Sequence, residues 1–204
     1  MIFSMEPIAQ PLPAALVPPL GLPGVKILVV AGERGVRRIW LGRKGPTDAV
    51  CRREIAAARG AGAAPLPNAA IRRATSILEW ALREIEGYFR GDLRGFKVPL
   101  DLEGQGTPFE MAVWKALQRI PHGATESYGQ IAREVGRPGA ARAVGRACGR
   151  NPVPILVPCH RVVGADGSLT GFSSGLALKS ILLSIECRPD GTIPSHAQTR
   201  KRTR

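Results

Sequence analysis

Cysteine, histidine, aromatic side chains and acidic residues are all scarce in this 204-residue chain. The four cysteines (Cys51, Cys148, Cys159, Cys187) are too few and too scattered for a disulfide framework, and none forms a CxxC pair. The three histidines (His122, His160, His196) lie far apart in the sequence. A zinc site built from Cys and His is therefore not expected, and neither is any other metal. Free thiols suit a reducing compartment. No apolar run approaches the roughly 20 residues that span a membrane, so a membrane partner is not expected. The first 24 residues lack a basic start and carry six prolines, at 7, 11, 13, 18, 19 and 23. That pattern argues against a signal peptide and for a flexible leader.

What the chain does have is apolar mass and positive charge. Hydrophobic residues make up 44% of it and the mean hydropathy is −0.01. That much apolar material excludes disorder as the main state. The length suggests one or two domains, each able to bury a core without disulfides. There are 29 basic and 16 acidic residues, a net charge of +13. Before Thr107 the balance is 15 basic to 10 acidic; from Thr107 onward it is 14 to 6. Between positions 133 and 161 six arginines (133, 137, 142, 146, 150, 161) face one acid, Glu134. Such a stripe attracts polyanions, because each neutralised phosphate releases condensed counterions. Composition alone leaves a generally Arg-rich usage equally open.

The first half reads as strands followed by a helix. Val25–Val30 and Val36–Leu41 are short strands joined by the turn residues AGERG, a plausible hairpin. A Gly/Ala/Pro-rich loop covers 59–67. Ile71, Leu78, Leu82, Ile85 and Phe89 recur at helical spacing over 70–89, and Gly91 stops that helix. VPLDL (98–102) is extended, and GQGTP (104–108) is the natural linker. Beyond it, Thr107-Pro108-Phe109-Glu110 is a capping box with Pro at the first helical position. Phe109, Val113, Leu117 and Ile120 share one face, and Pro121 closes it. Ser127-Tyr128-Gly129-Gln130 caps a second helix ending near Val135-Gly136. A third runs from Arg137-Pro138 to about Gly149. Two such helices joined by a tight Gly turn fit either a helix-turn-helix or an ordinary helical hairpin. The third helix is unusual, with Gly139, Ala140, Ala141, Ala143, Gly145 and Ala147 beside arginines and only Val144 long and apolar. That composition lets a backbone approach another surface closely, and nucleic acid is the obvious candidate.

Ile155–Val163 (ILVPCHRVV) reads as a buried strand broken at Pro158, with a sharp bend that exposes one thiol. A cysteine beside a histidine suits nucleophilic chemistry, since the thiolate is the reactive species. A packed small hydrophobe is the rival reading. In extended chain the two side chains point to opposite faces, so either the backbone turns or a water relays the proton. Glu186, at the end of the apolar helix face Leu178-Ile181-Leu182-Ile185, opposes the helix dipole and could orient the histidine.

Here the chain resembles a known family. PCHRV (158–162), preceded by Asn151-Pro152-Val153-Pro154, is similar to the active-site signature of the O6-alkylguanine-DNA alkyltransferases, the methylated-DNA–protein-cysteine methyltransferases. GYFRG (87–91), FKVPLDLEGQGTPFEMAVW (96–114), SYGQIA (127–132), ARAVGRACGRNPVPILVPCHRVV (141–163) and GFSSGLALKSILLSIE (171–186) are also similar, in family order. The likeness is close over 87–186 and weak before it.

The resemblance implies an α/β protein with an RNase H-like N-terminal strand-and-helix domain and a mostly helical C-terminal domain carrying a helix-turn-helix. The domains are then a leader (1–24), the N-terminal domain (25–103), the alkyltransferase domain (107–187) and a basic tail (188–204). It implies irreversible transfer of a methyl or other alkyl group from O6-alkylguanine, and also from O4-alkylthymine, to Cys159. His160 matches the base that acts through water, Glu186 the carboxylate that orients it, and Asn151 the holder of the active-site turn. Tyr128 matches the tyrosine that helps rotate the nucleotide and protonates the departing guanine. Arg142 matches the finger that takes the base's place. Ser127, Ala140, Ala141, Ala143 and Gly145 match minor-groove contacts, and Val157, Val162, Ser173 and Cys148 the base pocket. Small residues suit a groove only about 6 Å wide. The implied partner is double-stranded DNA bound by a monomer without cofactor, in the cytoplasmic nucleoid or a eukaryotic nucleus.

Guanine O6 is buried in the duplex, so the nucleotide must be flipped out. Displacement at the alkyl carbon leaves a thioether that water does not cleave, so one molecule repairs one lesion. Two rivals remain. Alkyltransferase-like lesion binders lack the acceptor cysteine, which is present here. A Cys-His hydrolase would turn over and would leave the small-residue helix unexplained. Ser174 falls where family members differ, which leaves adduct size open.

Overall fold

The computed structural model describes residues 14–17, 25–42 and 67–186. The expected loop at 59–66, Cys51, Cys187, the basic tail and most of the leader lie outside the described residues. The chain is a mixed α/β protein that falls into two compact units, Met1–Leu102 and Glu103–Arg204.

In the first unit, β1 (Ala14–Val17), β2 (Lys26–Gly32) and β3 (Gly35–Gly42) form an antiparallel sheet in sequence order. Four residues of the expected flexible leader thus pair as an edge strand, with Ala14 opposite Val30 and Val17 opposite Ile27. Glu33 and Arg34 make the turn of the expected hairpin, and a bulge between Val30 and Ala31 adjusts its register. β2 is buried from Ile27 to Gly32, as its continuous apolar run predicts. Helix α1 (Asn68–Arg90) packs on this sheet. Its buried stripe is Ala74, Ile77, Leu78, Ala81, Ile85 and Tyr88 rather than one through Ile71, Leu82 and Phe89. Gly91 ends α1 in the left-handed conformation, at φ +80°. The 98–102 segment runs along β3: Val36 N–H donates to the Pro99 carbonyl at 2.8 Å and Asp101 N–H to the Val36 carbonyl at 3.0 Å.

The second unit is mostly helical. Helix α2 (Pro108–Leu117) opens with both halves of the predicted box: Thr107 N–H donates to Glu110 Oε2 at 2.8 Å and Glu110 N–H to Thr107 Oγ1 at 3.3 Å. It ends at Leu117, four residues before the proline expected to stop it. Strand β4 (Glu126–Ser127) leads into α3 (Tyr128–Glu134), whose box joins Ser127 and Gln130 at 2.6 and 3.2 Å. Helix α4 (Ala141–Gly149) starts later than the expected Arg137-Pro138, because Gly139 takes φ +87° and breaks the helical path. Val144, the one long apolar residue of this helix, is buried together with Ala147 and Cys148. Trp114 on α2 is fully buried and donates from its indole to the Ala147 carbonyl at 2.9 Å, tying α2 to α4. Strand β5 (Val162–Val163) pairs in parallel with β4, and α5 (Leu176–Glu186) closes the described chain.

The strand expected over Ile155–Val163 does not form. Only Val162–Val163 is strand, and Cys159–Arg161 is one turn of 3-10 helix. Val157 N–H bonds back to the Val153 carbonyl at 3.0 Å, and Ile155 sits at φ +77°. A β-branched residue there is strained, typically by about 1–3 kcal/mol. Pro154 and Pro158 deny the segment the donors a ladder needs.

Candidate active site

Asn151 shapes the segment that carries the thiol. Its amide donates to the Val157 carbonyl at 2.8 Å, and its oxygen accepts from Val153 N–H at 3.1 Å. One side chain thereby fixes both ends of the turn around Ile155. Hydrogen bonding from the Asn151 amide also favours the ionised form of the Cys159 thiol. Cys159 follows at the start of the 3-10 turn and is only 3% exposed, whereas the sequence predicts an exposed thiol. Burial pushes its thiol above the ordinary range. The Asn151 bond, the charge of Lys179 and the N–H groups of Cys159 and His160 act the other way.

Of the two alternatives posed for an extended chain, the backbone does turn here, as 3-10 helix over Cys159–Arg161. His160 is buried and directs Nε2 to Glu186 Oε1 at 2.9 Å. Glu186 reaches it from the end of α5. Its carboxylate also accepts from Arg161 Nε at 2.8 Å, from a second Arg161 nitrogen at 2.9 Å and from Gly123 N–H at 3.0 Å. Gly123 has φ +71°, and a Cβ there would meet the Glu186 carbonyl at 2.7 Å. Burial opposes charge on Glu186, but the His160 and Arg161 bonds outweigh it and hold the carboxyl far below its usual range. Arg161 is a permanent cation, so Glu186 stays ionised whether or not His160 is charged. Burial lowers the His160 pKa below its usual value, against the pull of Glu186. At neutral pH the imidazole is therefore a neutral base with an anion holding Nε2, and Nδ1 is the nitrogen left to exchange a proton.

A cleft of roughly 310 Å³ is lined by Gly145, Cys148, Gly149, Gly171, Phe172 and Ser173; Cys159 and His160 are not among its lining residues. Its volume lies at the small end of the roughly 300–1,000 Å³ typical of ligand sites. Tyr128 stands at its edge: its hydroxyl donates to the carbonyls of Thr170 at 2.9 Å and Gly171 at 3.1 Å. A Cβ on Gly145 would lie 3.7 Å from the Tyr128 ring. Burial, with the nearby Cys148 thiol, raises the Tyr128 pKa, so the phenol keeps its proton. Cys148 lines the cleft, but burial pushes its thiol far up, against the opposing charge of Lys179. Ser173 is exposed at the cleft wall. Val157 and Val162 are buried outside the lining, with their carbonyls taken by Asn151 and by Lys179. On α4, Ala140, Ala141, Ala143 and Gly145 are half-buried and Arg142 is exposed. Ser127 serves as the α3 cap.

Three contributors escape the sequence. Arg161 reads there only as surface charge, yet it is buried on Glu186 and donates to the Ile120 carbonyl at 2.6 Å. Lys179 is fully buried and donates to the carbonyls of Val162 at 2.5 Å and Thr170 at 2.6 Å. Its spacing on α5 beside Leu178 and Leu182 is the available signal. Phe172 has no signal at all. Among the described residues no group of three or more Cys, His, Asp or Glu could hold a metal, and no helix is long and apolar enough to cross a membrane.

Residues 108–188, which contain this whole constellation, match the family model of the 6-O-methylguanine DNA methyltransferase DNA-binding domain. A methylated-DNA–protein-cysteine methyltransferase of Methanosarcina acetivorans is 54% identical over 106 residues, 52% of this chain and 67% of that protein. The Mycobacterium tuberculosis protein of the same name is 55% identical over 106 residues, 63% of its length. The sequence matches thus span about two thirds of those relatives. The crystal structure of Mycobacterium tuberculosis OGT in complex with DNA aligns at TM-score 0.61 and 38% identity, covering 83% of this chain and 89% of that one. The O6-methylguanine-DNA methyltransferase of Pyrococcus kodakaraensis aligns at 0.53 and 28%, covering 97% of that chain. With identity this high across so much of each relative, the chain belongs to the methylated-DNA–protein-cysteine methyltransferase family.

Proposed function

We propose that this protein repairs DNA by direct reversal, moving the alkyl group of O6-alkylguanine, and of O4-alkylthymine, onto Cys159. The observation that carries the reading is a thiol set in a turn that Asn151 fixes, followed directly by a histidine that Glu186 holds at Nε2. His160 takes the thiol proton through a water at Nδ1. The sulfur displaces guanine from the alkyl carbon, so a C–S bond forms as the C–O bond breaks. The electron pair of that bond stays with the base, and the Tyr128 phenol supplies a proton to guanine N3. Asn151 keeps the turn in place. The product thioether ends the protein's working life, and no cofactor enters.

The same reading gives α3 and α4 the roles of a helix-turn-helix, with α4 in the minor groove and Arg142 filling the gap left by the flipped base. Ser127, Ala140, Ala141, Ala143 and Gly145 lie along the groove. Ser173 and Cys148 face the base, with the backbones at Val157 and Val162 behind it. The domain limits are 25–103, RNase H-like, and 107–187. The protein works as a monomer on DNA, in the nucleoid or the nucleus. Incubation with a duplex carrying O6-methylguanine tests this. The expected result is one added methyl mass on the peptide containing Cys159, at no more than one per molecule. Repeated turnover, or a methyl on another residue, overturns the proposal.

A further inference from the structure

The arginines of the second unit divide by partner. Arg119 pairs with Glu134 at 2.7 Å, Arg150 with Glu110 at 2.8 Å and Arg161 with Glu186 at 2.8 Å. Arg133, Arg137, Arg142 and Arg146 are exposed and have no ion pair among the described residues, and the last two lie on α4. Arg142 and Arg146 on α4 and Arg150 at its C-cap follow at spacings of four, along one face of the helix. Only the last of the three is neutralised. Like charges one turn apart repel, and Arg142 lies in the first turn, where the helix dipole disfavours a cation. The opposite face of α4 is the buried one, through Val144, Ala147 and Cys148. The charged row therefore borders the cleft-lining Gly145 and Gly149 without taking part in packing. Two cations kept together against their own repulsion call for an anion from outside, repeated at short intervals.

We propose that Arg146 holds a phosphate of the DNA backbone, so that α4 grips the duplex with two arginines one turn apart: Arg142 at the lesion and Arg146 on the strand. This rests on the repair reading above and assigns a further residue of the same surface. Each arginine–phosphate pair removed makes the slope of log affinity against log salt shallower by about 0.9. Binding of a fluorescent undamaged duplex is measured from 50 to 200 mM salt for the full chain. Arg146→Gln is expected to make the slope shallower by about one unit, and Arg146→Lys to keep it. Arg119→Gln and Arg150→Gln, whose charges are already matched, are expected to leave it nearly unchanged. A slope for Arg146→Gln equal to that of the parent, or a change no larger than that of Arg150→Gln, overturns the assignment. Methyl transfer from free O6-methylguanine base, without DNA, separates the two claims. Arg146→Gln is expected to match the parent there, and a parent that methylates Cys159 from neither base nor duplex overturns the repair reading instead.

Discussion

The core around Cys159 and the outer face of α4 treat charge in opposite ways. Inside, the ions have partners: Glu186 receives His160, two nitrogens of Arg161 and the Gly123 N–H, the third Arg161 nitrogen has the Ile120 carbonyl, and Lys179 has two carbonyls. Outside, Arg142 and Arg146 stand exposed with no ion pair among the described residues. The difference teaches that the first region is built to hold a geometry and the second to await a partner. Chemistry and binding are then separable, and substitutions in one region leave the other's readout intact.

The sharpest break is at the sulfur. Cys159→Ala is expected to abolish methyl transfer while duplex affinity stays within about twofold, checked by mass and by anisotropy. A binding loss as large as that of Arg142→Ala would join the two regions into one. Next comes Glu186→Gln. It removes the charge that Arg161 and His160 share, and breaking a buried pair typically costs about 3–5 kcal/mol. Denaturant unfolding is expected to shift by that order, and transfer to fall at least a hundredfold. An unshifted midpoint would show that the Glu186 network does not hold His160 and Arg161 in place.

How much of this is legible in the residues follows the same division. The capping boxes at Thr107 and Ser127 can be read because they depend on neighbours three positions apart. Gly91 and the hairpin are legible for the same local reason. The strand predicted through Ile155–Val163 fails because its apolar run satisfies the pattern equally well as a buried turn. Asn151 decides between them, through bonds to Val153 two residues on and Val157 six residues on, with Pro154 and Pro158 withholding ladder donors. The likeness to a family names Cys159, His160 and Glu186 together. It does not name Arg161, whose partner is 25 residues away, or Lys179, whose acceptors are backbone carbonyls that leave no mark in sequence.

On the outer face the expected effects are smaller. Arg142→Ala is expected to slow repair in duplex by about tenfold to a hundredfold, a few kcal/mol being the usual cost of unstacking a base. Transfer from the free base is expected to be unchanged. Slowing of both by the same factor would place Arg142 in the reacting core.

The smallest test uses pH. His160 is buried with its pKa lowered, so between its folded and unfolded values the unfolded chain binds the extra proton. Stability then rises with pH in that window and falls as pH drops below about 6.5, by at most about 1.4 kcal/mol per pH unit for one proton. Glu186, also lowered, adds a loss in the same direction, but only below about pH 4.5, where the unfolded carboxyl takes its proton. Unfolding free energies at pH 7.5, 6.5 and 5.5 isolate the histidine. His160→Asn is expected to flatten that part of the curve, and the exposed Arg142→Ala to leave it unchanged. A parent protein equally stable at all three values would mean that His160 charges freely inside the core. The contrast between a sealed, matched interior and an open, unmatched surface would then fail at its centre.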